Sequence, residues 1–280
     1  MDIMTRIITF FLGLPTLLLS LSVQNSMADQ LPLWEAKIGI GVLNAPIYRG
    51  AKDRVTLGAP YPYVIYRGER FSIDERGMHS WLFKSDRAKL DISFAGGLPV
   101  PRDGDGPRAG MPKLDTTVEI GPEFQYRLWR KSDHQQLWLR IPVRAVVSLG
   151  DKVKHRGWTF APFLDYRLNF GKNKKWKLKF GFGPQYANAN YHDYYYGVDS
   201  RYVTPERPAY EGKSGYSGFR FTTRLSRSFG SYWLGIVIRQ DTLKDAVFTD
   251  SPLVETDSYS IFAIAMSWTF LKSKTYVDHD

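Results

Sequence analysis

The chain has no cysteine. Disulfide frameworks, thiolate nucleophiles and cysteine-ligated metals are therefore excluded, and the fold must be held by packing and backbone pairing. Histidine is nearly as scarce. His79, His134, His155, His192 and His279 are the five present, and no two are spaced as a metal pair, so no metal site is expected. Long apolar runs are missing beyond residue 28, which excludes helical membrane spans of ~18 or more residues from the mature chain. A helical period is absent over any stretch longer than a turn or two. No nucleophile stands beside a base and an orienting group. The one suggestive pair, His79-Ser80, would point to opposite faces of a strand. The chain is expected to be no enzyme and to need no cofactor.

What is present begins with a leader. Met1 to Arg6 carries one base, Ile7 to Leu19 is almost wholly apolar, and Ser26-Met27-Ala28 is a small-x-small triplet. Residues 1–28 read as a secretory signal peptide, cleaved between Ala28 and Asp29. The net charge of +10 survives cleavage, since the leader holds one acid, Asp2, and one base, Arg6. Export makes nucleic acid an unsuitable partner for that charge. Anionic lipopolysaccharide, phospholipid headgroups or peptidoglycan carboxylates remain.

The dominant rhythm of the mature chain is two. Residues two apart share one face of a strand. In the segment from Trp34, the residues Trp34, Ala36, Ile38, Ile40 and Val42 oppose Glu35, Lys37, Gly39 and Gly41. The same alternation recurs from Val118, Leu137, Trp158, Trp176, Phe219 and Phe262. Such segments exceed the ~5–6 residues usual in globular strands and match the ~9–11 of a tilted membrane-spanning strand. Aromatics gather near the strand ends, as interfacial girdles require. The predicted fold is all-β, an antiparallel transmembrane β-barrel over residues 29–270, with 271–280 as a short C-terminal tail.

Connections set the count. Long loops are expected at 99–113, 190–213 and 241–257, alternating with turns at 130–135, 171–175 and 230–231. One unbroken strand over 70–83 would make the total odd. Splitting it near Glu75-Arg76-Gly77 restores an even number, about 12 strands.

The polar face should line the lumen with Glu119, Glu123, Arg127, Arg140, Arg144, Asp165, Arg167, Lys177, Lys179, Arg220, Arg224 and Arg239. These charges fit an ion-paired filling of a narrow barrel. They also fit a small anion-biased pore, since bases outnumber acids. The loop 190–213 carries Tyr191, Tyr194, Tyr195, Tyr196, Tyr202 and Tyr210, which could pack on the rim or form an adhesive surface. The turn GKNKK with Lys177 is a basic edge open to an acidic partner or to simple solvation.

Several stretches resemble the MipA/OmpV family of outer-membrane proteins: GIGVLNAPIYRGAKD, PYPYVIYRGERFSI, TTVEIGPEFQYRL, GPQYANANYHDYYYGV followed by PAY, and DSPLVETDS with a last strand ending SWTF. The resemblance implies an antiparallel barrel in the Gram-negative outer membrane, among lipid and lipopolysaccharide. It also implies a scaffold that holds a lytic murein transglycosylase and a penicillin-binding protein during peptidoglycan growth. An aromatic last residue, here Phe270, is usual in such barrels, whereas this chain runs ten residues further.

Overall fold

Alternating segments of this length pair edge to edge until none is left unpaired, because a backbone N–H or C=O facing hydrocarbon has no partner. A computed structural model describes residues 30–68, 71–74, 77–97 and 106–278. The expected leader and its Ala28/Asp29 junction lie outside the described residues.

The strands are β1 (Gln30–Pro32), β2 (Trp34–Pro46), β3 (Arg54–Arg67), β4 (Phe71–Asp74), β5 (Gly77–Lys84), β6 (Ala88–Gly97), β7 (Thr117–Ser132) and β8 (Gln135–Leu149). They continue with β9 (Val153–Phe160), β10 (Phe163–Phe170), β11 (Trp176–Ala187), β12 (Gly215–Phe229), β13 (Tyr232–Thr242), β14 (Ser258–Lys272) and β15 (Tyr276–Asp278). Thirteen of them, β2 to β14, form one antiparallel sheet. β8 pairs with β9 through Val143↔Phe160 and with β10 through Phe163↔Arg140, so β9 and β10 are two halves of one strand interrupted at Ala161-Pro162. Pro162 has no N–H to give the ladder, which accounts for the break. Thirteen segments less one gives twelve positions. β14 pairs with β2 and β11 with β10, which closes the sheet on itself.

The split at 75–76 is present. β4 and β5 pair from Phe71↔Ser80 to Asp74↔Gly77. Long connections at 47–53, 98–116, 188–214 and 243–257 lie at one end. Short turns at 85–87, 133–134, 171–175 and 230–231 lie at the other. The paired strands β1 and β15 share the short-turn end, which for a barrel of this kind faces the periplasm.

The face test is decisive. Ile40 is 57 % exposed and Met266 49 %, while Glu123 and Asp241, on the opposite face, are 0 % exposed. Oily side chains turn outward and charges inward, the inverse of a water-soluble barrel. Room inside comes from small residues under large ones. A Cβ on Gly39 would stand 2.6 Å from the Tyr61 ring, which lies across it.

Two features depart from the sequence expectation. The connection 188–214 is not all loop: α1 (Ala189–Tyr196) occupies its start, with the Asn188 side chain capping the Tyr191 N–H and Gly197 closing the last turn. Eight residues buried on several sides show no clear apolar stripe, so no period announced the helix. Residues 271–278 also carry more structure than the expected tail. Leu271 and Lys272 continue β14, and β15 pairs with β1 from Gln30↔Asp278 to Pro32↔Tyr276. Arg67 anchors this ribbon, donating to the Pro32 carbonyl at 2.7 Å and to Glu35.

Candidate functional site

Cross-strand pairing fixes which side chains share the lumen. Arg127 pairs with Trp138 and Trp138 with Asp165, while Arg167 pairs with Lys179 and Lys179 with Arg224. Arg220 pairs with Asp241, Thr222 with Arg239, Lys177 with Ser226, and Arg144 with Thr159. The twelve charges singled out above therefore lie on one continuous inner face, but they do not form one cluster.

The lower network lies nearer the short-turn end. Glu123 takes the Arg140 guanidinium and Arg144 Nη2 at 3.2 Å. Arg144 Nε also donates to Ser93 Oγ at 2.9 Å. Asp165 is 2 % exposed and accepts from Arg167 Nε at 2.8 Å, with Arg140 4.0 Å away. Trp138 lies beside them with Lys89, Arg127 and Arg167 over its ring at 5.4, 5.6 and 5.0 Å. Its indole N–H donates to Gln136 at 2.7 Å. Glu119 stands higher and accepts from Thr159 at 3.1 Å. Arg224 makes no hydrogen bond or ion pair among the described residues and is exposed.

The upper network centres on Asp241. Its carboxylate takes Arg239 at 2.6 and 2.8 Å, Arg220 at 3.1 Å and the Tyr259 hydroxyl at 2.7 Å. Arg49, from the connection 47–53, reaches in to 3.7 Å of the same carboxylate and donates to the Ser217 carbonyl at 2.6 Å. Asp241, Tyr259 and Arg49 were not among the sequence candidates. Asp241 sits two residues after Arg239, the signal that could have found it. A loop arginine gives no periodic signal at all.

Above this network the mouth is covered. Leu114, Tyr196, Leu243, Phe248, Tyr48 and Tyr259 form one apolar cluster, and Met111, Val198 and Leu253 another. All but Tyr259, which is on β14, come from four connections. The described part of the β6–β7 connection, 106–116, lies across the barrel from 243–257, so loops that meet here must span the lumen. Tyr196 stacks on Phe248 with centroids 3.9 Å apart, and its hydroxyl donates to the Arg49 carbonyl at 3.0 Å. Of the six loop tyrosines, Tyr196 is buried in this lid, while Tyr191 is buried against Val146 and Ala187 of the barrel wall. Tyr195 bonds Thr117, Tyr194 accepts from the Asp115 N–H, and Tyr210 bonds Asp250. Tyr202 is partly buried against the second cluster.

His192 ties α1 to the barrel. It is 0 % exposed, bonds the Lys213 carbonyl through Nδ1, and meets Ser217 Oγ through Nε2 at 2.7 Å. Burial, reinforced by the nearby Arg49 charge and opposed by the Lys213 carbonyl, pushes its pKa down to about 4. The unfolded imidazole takes a proton near 6.5 and the folded one only near 4, so between those values the unfolded state binds more protons. The lid's stability is full above about pH 6.5 and falls as the pH drops through that window to about 4. Proteolysis within 188–214 should be faster at pH 4.5 than at pH 7.5, and His192→Gln should flatten the difference attributable to this group.

The family model described as "MltA-interacting protein MipA" matches residues 38–270. YiaT of Escherichia coli K12, placed by its name in the outer membrane, is 22 % identical over 247 residues, covering 84 % of this chain and 91 % of its own. The Escherichia coli O157:H7 protein of the same name gives the same values. Among solved structures, a bacterial polysaccharide outer membrane secretin superposes with a TM-score of 0.40 at 10 % identity, over 85 % of this chain and 99 % of that one. The Ralstonia pickettii toluene transporter TbuX gives 0.35 at 9 % identity, over 86 % and 90 %. Superpositions that loose transfer no substrate.

Proposed function

The chain belongs to the MipA family of outer-membrane β-barrel proteins, and from that premise we propose that it is a non-catalytic scaffold at the periplasmic face of the outer membrane. It holds a lytic murein transglycosylase, and with it a penicillin-binding protein, close to the membrane in which it is anchored. The observation that carries this reading is the family match over residues 38–270, whose description names interaction with MltA.

The arrangement of the barrel agrees with it. The lid joins loops from opposite sides of the mouth, and Asp241, Glu123 and Asp165 are each held by arginines. An interior built to stay closed favours a membrane anchor over an anion pore. The loop tyrosines pack inward, which favours the anchor over an adhesin. The end left for partners is the periplasmic one, with its short turns, the β1–β15 ribbon and the basic turn at 171–175. Export through the leader would bring the chain to that compartment.

Affinity-tagged mature protein, recovered from envelope extracts in mild detergent, should bring down a murein transglycosylase and a penicillin-binding protein. Clean recovery without either, under conditions that preserve other envelope complexes, would overturn the scaffold reading.

A further inference from the structure

A charge stands on the oily face of β12. Along β12 the outward residues are Phe219, Phe221, Thr223, Leu225, Arg227 and Phe229, so Arg227 points into the lipid-facing wall. Its cross-strand neighbours are Trp176 and Leu234. A basic side chain on that wall is tolerated only near an interface, where it can reach headgroups or water.

The surroundings of Arg227 are built rather than incidental. Its guanidinium lies 4.9 Å from the centroid of Trp176 and 4.3 Å from that of Phe229. Trp176 is stacked in turn on Phe170, with centroids 6.1 Å apart and planes within 16°. Aromatic faces hold the cation flat and shield it from water. Arg227 Nε is buried and has no hydrogen-bond partner, and Arg227 makes no ion pair among the described residues. A guanidinium in this state has N–H donors still to satisfy and no acceptor among the described residues.

The acceptor's chemistry is indicated by what lies beside it. Trp176 begins β11, and the turn that precedes it carries Lys172, Lys174 and Lys175, all exposed. The acidic side chain of the neighbouring 133–134 turn, Asp133, is already paired with Arg130. Three lysines and an arginine thus converge at the periplasmic rim. Phosphate oxygens suit the arginine's planar fork, and lysines add charge without demanding geometry.

We propose that Arg227, caged by Trp176 and Phe229 and flanked by Lys172, Lys174 and Lys175, is a binding site for the phosphate of an anionic phospholipid in the periplasmic leaflet. A lipid is favoured over peptidoglycan or an acidic protein because Arg227 lies in the aromatic girdle on the hydrocarbon-facing wall. A soluble partner could reach the turn but not this cage. The site is independent of the scaffold reading, since it concerns what the barrel wall binds.

The test uses the mature barrel inserted in phosphatidylcholine vesicles containing a minor fraction of phosphatidylglycerol. Either lipid carries bromine near the carbonyl end of its acyl chains, and tryptophan quenching is read. Brominated phosphatidylglycerol should be enriched about fivefold around Trp176 relative to brominated phosphatidylcholine. The excess quenching should vanish in Trp176→Phe, which assigns it to that ring. Arg227→Gln and the triple variant Lys172→Ala, Lys174→Ala, Lys175→Ala should each remove most of the preference, while Arg227→Lys keeps part of it. Unchanged quenching by brominated phosphatidylcholine shows that a variant has inserted. Should Arg227→Gln fail to insert, Arg227→Lys and the triple variant still decide. Equal quenching by the two lipids in the unaltered protein overturns the proposal. So does a preference that survives in every inserted variant, or one that depends on the lysines alone and not on Arg227.

Discussion

Asp241→Asn is expected to cost the barrel about 3–5 kcal/mol, the usual penalty for removing one partner of a buried charge cluster. The replacement keeps the shape and loses the charge. Arg239, Arg220 and Arg49 would then crowd one neutral amide, and the Tyr259 hydroxyl would lose its charged acceptor. The effect should exceed that of deleting one arginine, because each arginine lost leaves the carboxylate with two others. Urea unfolding from lipid vesicles, followed by tryptophan emission, measures it. Combining Asp241→Asn with Arg239→Gln should cost less than the sum of the two single changes, since the second relieves repulsion created by the first. A midpoint unchanged within error for Asp241→Asn would show that the carboxylate is not the centre of the upper network.

Phe248→Ala should release the lid, at a cost of about 3–5 kcal/mol for a large aromatic taken from a packed cluster. Phe248 is fully buried, stacks face to face on Tyr196, and contacts His192 at 4.9 Å between centroids. Its removal loosens one side of a cluster to which the connections 47–53, 98–116, 188–214 and 243–257 all contribute. The loss falls on the loops rather than the strands, so the expected sign is faster hydrogen exchange and proteolysis in 188–214 and 243–257, with little change in strand content. Planar bilayers give the second readout. The unaltered barrel should be silent, and Phe248→Ala should pass intermittent current biased toward anions, since Arg224 and Lys177 line the lumen below. Steady conductance by the unaltered barrel would contradict a closed mouth.

These two predictions rest on residues of unequal legibility. Glu123, Asp165, Arg220 and Arg239 alternate with apolar neighbours along their strands, so their face could be read from spacing. Asp241 opens the polar run DTLKD and looks like the first residue of a loop. β13 nevertheless carries through Thr242, because Thr242 and Asp241 pair with Ser258 and Tyr259 on β14. Arg49 lies in a connection, where position depends on where the loop folds back. Arg227 breaks its strand's pattern and reads as an ordinary exception until Trp176 and Phe229 are seen on either side of it. α1 escaped for a similar reason. Its tyrosines are apolar enough to bury on several sides, and its cap, Asn188, is held to the barrel by accepting from the Trp158 N–H at 2.9 Å. A glycine makes room for that contact: Gly157 has φ +124°, and a Cβ there would stand 2.2 Å from Asn188 Oδ1.

The two-residue period, the strand lengths and the parity of turns and loops were enough to determine an even-stranded barrel, its outward oily face and the inward set of charges. All of these are local properties, because one residue along a strand reverses the face whatever lies elsewhere. Which charges neutralise one another, and whether the tube is open, was decided only when the sheet closed. Closure brings β12, β13 and β14 beside the loop that carries Arg49, and it sets residues 106–116 and the connection 243–257 across one mouth. Such partners are separated by scores to hundreds of residues, and no pattern along the chain encodes a distance that exists only once the first and last strands have met.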